Sequence, residues 1–416
     1  MAVKKVILHL GMAKAGSSSI QHTLFNNTAI LEKNSFRYLT EWEIDHLRKF
    51  HYLFAQYPVN PISTGHLGKP PAGRKRQNSE AINVMSRIMK TTENETLILS
   101  GEYFHDLCLD ATIENIKEFI KKYFQNNGVE TRIVYLVRNP LTWITSHLQQ
   151  TLFRIGFMNK DCDYFENEME KYEGVFNLQK NFSDSLTLLK FEDACLDKDG
   201  LVGHFLKTIH FPENELKNIN IFRKNDSRCI EVMEFVNYIE AVEPLYPYAH
   251  YKRLNPNRYV GDLYCAKDIN GVKFDLPDQS KAELWKRFEK TTLLLKEKTG
   301  IDYTDYTIPP SSPSGQETYS EQTIQEFIMV FPHLSFILQK HFLKFFEKKY
   351  METAQIRFKQ LHGKDSVPWE IFNKRNTFFC LMNLRNKNKL RGIKRFISEA
   401  MPSKTKKYLK RTLIKG

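Results

Sequence analysis

Cysteine is scarce in this chain and what there is stands apart. The 416 residues hold six, Cys108, Cys162, Cys195, Cys229, Cys265 and Cys380, with no CxxC pair and no metal-like spacing. Reduced thiols are therefore expected, rather than a disulfide framework or a zinc cluster. Long apolar runs are missing too: none approaches the roughly 18 residues of a membrane-spanning helix. No stretch ahead of the first strand pattern has room for a signal peptide, which predicts a cytoplasmic chain. Internal repeats are also absent, so a solenoid or propeller is not expected. What remains, 41% hydrophobic and 13% aromatic residues, is the composition of a folded globule with enough chain to bury a large core.

Acidic residues are nearly absent from one region. The net charge is +13, and the segment 385–416 carries twelve Lys and Arg against the single acid Glu399. The rest of the chain is close to neutral, so the basicity is that of a tail. Leu390, Ile393, Phe396 and Ile397, then Tyr408, Leu409, Leu413 and Ile414, with Pro402 between the groups, read as two short basic amphipathic helices. Such segments bind anionic membrane surfaces, which predicts a peripheral position on the inner face of a membrane. A solvated extension and an RNA-binding arm are the competing readings; no RNA-binding motif accompanies the charge, so no specific nucleic acid is expected.

The most informative stretch is at the start, where Lys4 to Leu10 runs into Gly11-Met12-Ala13-Lys14-Ala15-Gly16-Ser17-Ser18-Ser19. A short apolar run reads as a buried strand, the glycine-bracketed turn as a loop, and Ser17 to Ser19 before Ile20, Leu24 and Phe25 as a capped helix. Helix N-termini carry unpaired N–H groups and partial positive charge, so this is either an ordinary strand-loop-helix junction or an anion seat. A Walker A loop needs Lys directly after its second glycine, whereas Ser17 follows Gly16 here and Lys14 precedes it.

A second segment favours the anion seat. Thr131 to Val137 has a strand pattern and leads into Arg138-Asn139-Pro140-Leu141-Thr142-Trp143-Ile144-Thr145-Ser146, with Pro140 suited to a helix's first turn. Arg138 then stands at the C-terminal end of a strand, where open α/β sheets bind ligands, with Ser146 about two helical turns on. An arginine and a hydroxyl grip a terminal phosphate well.

These two segments, in this order, resemble those of the sulfotransferases that use 3′-phosphoadenosine 5′-phosphosulfate (PAPS). The resemblance implies that Lys14, Ala15, Gly16, Ser17, Ser18 and Ser19 hold the 5′-phosphosulfate and that Arg138 with Ser146 holds the 3′-phosphate. The commoner Lys-Thr-Gly-Thr-Thr form is altered by Ala15, which removes one hydroxyl, and by serines in place of the other threonines. His9-Leu10-Gly11 and Ser19-Ile20-Gln21 are most similar to the bacterial branch that acts on carbohydrates. Leu186 to Asp193 resembles the family's Tyr-Glu-Asp segment, with Phe191 placed to approach the adenine. Arg223, Lys224 and Asn225 are similar to its basic loop over the 3′-phosphate. A P-loop NTPase-like α/β fold is implied, with three layers about a central parallel sheet. PAPS is the implied donor, its product is adenosine 3′,5′-bisphosphate (PAP), and no metal is required.

Sulfuryl transfer needs a base for the acceptor hydroxyl and positive charge on the leaving phosphate. Lys14 suits the second task. The strand pattern Glu95 to Ser100 ends at Gly101-Glu102-Tyr103-Phe104-His105, making Glu102 the first choice for base and His105 the second. A nucleotide-dependent kinase and a non-catalytic nucleotide- or membrane-binding protein are the alternatives. The expected organisation is a sulfotransferase domain over 1–306, a linker over 307–318, a mainly helical extension over 319–384 and the basic tail over 385–416. Within it, 60–77 reads as a loop, 246–259 with Lys252, Arg253 and Arg258 as the lining of an acceptor channel, and 278–300 as a helix. Phe327, Phe331, Leu334, Phe336 and Ile337 read as a core face. A carbohydrate or glycolipid acceptor is expected.

Overall fold

The computed structural model describes residues 3–54, 71–102, 107–155, 172–223, 227–245, 255, 258, 262–311, 319–346 and 348–349. Two compact units emerge, the first comprising Met1–Leu148, Asn159–Asp226 and Leu276–Pro310, the second Gln149–Met158, Ser227–Asp275 and Ser311–Gly416. One crossing, Pro310 to Ser311, falls within the linker expected over 307–318; the others place 149–158 and 227–275, from inside the expected 1–306 span, in the second unit.

The first unit is an α/β fold about one all-parallel sheet. Its strands are β1 (Lys5–His9), β2 (Phe36–Tyr38), β3 (Thr96–Ser100), β4 (Glu130–Val137) and β5 (Leu186–Lys190), ordered β2-β3-β1-β4-β5. Val6, Ile7 and Leu8 of β1 and Ile133 to Val137 of β4 are sealed from solvent, as expected of parallel strands covered on both faces. Each such side chain contributes about 1.5–3 kcal/mol of burial. The flanking helices of this unit are α1 (Ser17–Asn26), α2 (Thr28–Lys33), α3 (Leu47–Phe54), α4 (Pro71–Thr91), α5 (Asp110–Tyr123), the first part of α6 (Pro140–Ile155), α7 (Glu173–Phe182), α8 (Phe191–Leu196) and α9 (Gly200–Thr208). After α10 (Ile230–Val242), α11 (Asp278–Thr299) returns to it over the span read as a helix, and a left-handed Gly300 ends it.

Order fixes where a ligand can enter. The chain leaves β1 toward β2 on one side and leaves β4 toward β5 on the other, so the carboxyl ends of these adjacent strands form a topological switch point. Pairing persists beyond the strand: Leu10 N–H donates to Val134 O at 3.2 Å, Leu136 N–H to Gly11 O at 2.9 Å and Met12 N–H to Leu136 O at 3.2 Å. The loop after β1 is thus fastened to β4.

The second unit is helical, with α10, α12 (Glu321–Val330) and a helix over 336–346. Its core is aromatic: the Phe235 ring lies 5.8 Å from Phe327, 5.5 Å from Phe342 and 5.3 Å from Phe345. Phe327 and Leu334 are buried as expected, but Phe336 is 53% exposed, because the 3-10 turn Phe331–His333 resets the helical phase.

Two further expectations are corrected. Residues 71–77, read as part of a loop, open α4, since Pro71 at a first helical position forgoes no hydrogen bond. Arg258 does not line a channel: its side chain is fully buried, with Nε 2.6 Å from Asp262 and Nη2 2.8 Å from Glu240, the pairing that a buried charge requires. Most of 246–259 and all of 385–416 lie outside the described residues. No helix among the described residues is long and apolar enough to cross a membrane.

Candidate functional site

The site residues that can be described belong to the first unit. Gly16, rather than a serine, occupies the N-cap of α1, with φ 81 and ψ 7. Ser17, Ser18 and Ser19 are therefore the first three helical residues, so their hydroxyls and N–H groups share one turn. A helix start leaves its first N–H groups unbonded; those of Gly16 and Ser17 have no acceptor among the described residues. Position 16 favours glycine, since the φ is left-handed and a Cβ would lie 2.0 Å from Leu201 Cδ2, which would have to move. Lys14, half-buried, also takes a left-handed φ of 63, a conformation that persists only where surroundings impose it.

Those surroundings are side chains from the end of β4 and the first turn of α6. Trp143 Nε1 donates to Ala13 O at 3.0 Å, and Arg138 Nη1 donates to Lys14 O. Ala15 is completely buried, so a hydroxyl at this position would need an internal partner. Ser17 Oγ donates to Met12 O at 3.1 Å, closing the turn from inside.

Arg138 stands at the end of β4, as predicted. Besides Lys14 O, its Nε donates to Thr142 Oγ1 at 3.1 Å and its guanidinium lies 4.8 Å from the Phe191 ring centroid. All these partners are neutral, and no carboxylate among the described residues is within ion-pair distance. Burial lowers the Arg138 pKa, while the charge of nearby Glu192 opposes the shift. Ser146 lies one turn beyond Thr142 on the same face of α6, half-buried. Phe191 begins α8 rather than ending a strand, and its ring passes 3.5 Å from where a Cβ on Gly16 would sit.

Glu102 follows β3, on the other side of β1 from Arg138. The Ser18 hydroxyl approaches its Oε1 at 3.4 Å, a long contact that nonetheless brings the expected base to the first turn of α1. Gly101 lets its neighbours pack close: a Cβ there would meet Phe50 Cδ2 at 2.7 Å and Leu47 N at 2.8 Å. His105, the second choice for base, lies outside the described residues, as do Lys224 and Asn225. Arg223 is exposed and follows a strip stitched along α1. Asn220 exchanges bonds with Asn27 at 2.8 and 2.9 Å, and Phe222 N–H donates to Thr23 Oγ1 at 3.0 Å. The strip therefore runs toward the N-terminal end of α1, where the serines stand.

Sequence reasoning missed several supports. Thr142 was an ordinary helical threonine, although its i+4 spacing from Arg138 and from Ser146 was a usable signal. Asn139 caps α6 through Oδ1, accepting from Leu141 N at 2.9 Å and Thr142 N at 3.3 Å. Tyr172 OH donates to Arg138 O at 2.8 Å across 34 residues, which no local pattern reveals. Among the described residues no group of three His, Cys, Asp or Glu is placed to hold a metal ion.

No family model matches the chain, and no curated protein matches it. Among solved structures it is similar to one described as a sulfotransferase from Alicyclobacillus acidocaldarius, at 12% identity and a TM-score of 0.31, over 51% of this chain and 83% of that one. A likeness of that extent bears on neither the site nor its chemistry.

Proposed function

We propose that the first unit is a sulfotransferase that moves a sulfuryl group from PAPS to an acceptor hydroxyl. The observation that carries this reading is Arg138, a half-buried guanidinium with only neutral partners, hydrogen-bonded to the carbonyl of Lys14 in the neighbouring anion-binding turn. A half-buried cation that no carboxylate pairs directly is a seat for an external anion. Two such seats at one switch point suit a donor with phosphates at both ends.

In this reading Glu102 takes the acceptor's proton as its oxygen forms a bond to sulfur and the bond from sulfur to the bridging phosphate oxygen breaks. Lys14, with the N–H groups of Gly16 and Ser17, stabilises the charge left on that phosphate. Arg138 and Ser146 hold the 3′-phosphate, with Arg223, Lys224 and Asn225 over it and Phe191 near the adenine. No metal takes part. The acceptor is a glycan, glycolipid or lipid-linked saccharide, reached by a chain whose 385–416 tail rests on an anionic membrane surface from the cytoplasmic side.

Transfer of radiolabelled sulfate from PAPS onto glycan or lipid extracts tests the reaction. Lys14→Ala and Glu102→Gln are expected to abolish transfer, with donor binding kept in the latter. Label that moves onto no extract would count against the reading. For the tail, co-sedimentation with anionic vesicles is expected to fall when 385–416 is deleted; unchanged partitioning would remove the membrane from the account.

A further inference from the structure

Arg138 is held by a chain of groups that the proposed reaction does not itself use. Thr142 Oγ1 accepts from Arg138 Nε at 3.1 Å and has a single proton of its own, which it can direct to Glu192 Oε1 at 3.0 Å or to Asn139 O at 3.2 Å. The carboxylate is the stronger acceptor. Glu192 is fixed in turn: Asn139 N–H approaches its two oxygens at 3.1 and 3.3 Å, and Tyr303 OH lies 2.7 Å from Oε2. Tyr303, 2% exposed, is also 2.8 Å from Val137 O, at the end of β4. Its hydroxyl stays protonated, since burial, followed by the Glu192 charge, raises its pKa far above the ordinary value.

The arrangement keeps the carboxylate one hydroxyl away from the guanidinium. A direct Glu192 pair would cancel the charge that an incoming anion needs, while no carboxylate at all would leave the side chain without an oriented anchor. Thr142 engages Nε, Lys14 O engages Nη1 and Phe191 covers one face. Nη2 has no partner among the described residues.

We propose that Thr142, Glu192 and Tyr303 form a positioning relay that aims the Nη2 edge of Arg138 at the 3′-phosphate and so sets the preference for a 3′-phosphorylated nucleotide. This rests on the reading of Arg138 as the 3′-phosphate partner. Thr142→Val removes the hydroxyl at nearly constant volume, Thr142→Ser restores it, and Tyr303→Phe cuts the far end of the relay.

The test is calorimetric titration of the full chain and these variants with adenosine 3′,5′-bisphosphate and with adenosine 5′-phosphate. The wild type is expected to prefer the bisphosphate. Thr142→Val should lose about tenfold of that preference, the worth of a hydrogen bond to a charged group, with affinity for the monophosphate unchanged. Thr142→Ser should recover it, and Tyr303→Phe should lose roughly threefold. Equal weakening toward both nucleotides would reveal a purely structural role and overturn the relay, as would an undiminished preference in Thr142→Val and Tyr303→Phe. A wild type without preference would overturn the 3′-phosphate reading itself, and the relay with it.

Discussion

Gly16 is the residue on which the turn before α1 depends most directly. Replacing it with alanine imposes a left-handed conformation that costs about 1–2 kcal/mol for an ordinary residue, and sets a methyl 2.0 Å from Leu201 Cδ2. Gly16→Ala is expected to lower the thermal midpoint and to weaken nucleotide binding together; a variant that binds normally would show that the turn tolerates rearrangement. At this scale much of the candidate site was legible. Lys14, Gly16, Ser17 and Arg138 could be found because a strand end, a glycine turn and an isolated cation leave local marks. Thr142, Tyr172 and Tyr303 could not, since their roles are defined by partners: Tyr303 acts on Glu192, 111 residues away in sequence, and nothing in the residues around it records that.

Among the elements, α6 has the largest share of the work, because its first turn holds both Arg138 and the loop after β1. Its start is doubly secured, by the Asn139 side chain and by Glu192 on the Asn139 N–H. Asn139→Ala is expected to cost about 1 kcal/mol, the usual worth of such a cap, and to raise the donor KM more than it alters the thermal midpoint, since Trp143 and Arg138 shift with the helix. A change confined to stability would show that the cap only stabilises the helix. The helix that sequence missed, Pro71 to Gln77 at the start of α4, failed for the complementary reason. Proline and glycine there advertise a loop, whereas a proline at a helix start is compatible with either outcome.

At the scale of the whole molecule, two buried imidazoles of the first unit make stability depend on pH. His9 and His46 are sealed in the interior, and burial pushes both pKa values down to about 3. Unfolded, each would titrate near 6.5, so the unfolded chain binds more protons between these values. Their contribution is complete above about pH 6.5 and is lost as pH falls toward 3, by about 1.4 kcal/mol per pH unit for each ring within the window. Urea midpoints are expected to be clearly lower at pH 5 than at pH 7; equal midpoints would mean that the rings take up protons without unfolding. Four of the five strands were readable from their apolar runs; β2, only three residues long, was not. Nor was the strand order, because periodicity identifies a strand without naming its neighbours.

That order has a consequence for biosynthesis. β1 is made first among the strands yet lies in the middle of the sheet, between β3 and β4. At ribosomal speeds of about 5–20 residues per second, roughly 6–26 s separate the synthesis of His9 from that of Val137. For that interval Val6-Ile7-Leu8 has no finished pair of neighbours, an apolar strand with an open edge on a nascent chain. The central placement that sets the loop after β1 beside the end of β4 thus leaves this strand's apolar edge uncovered until β4 has been made.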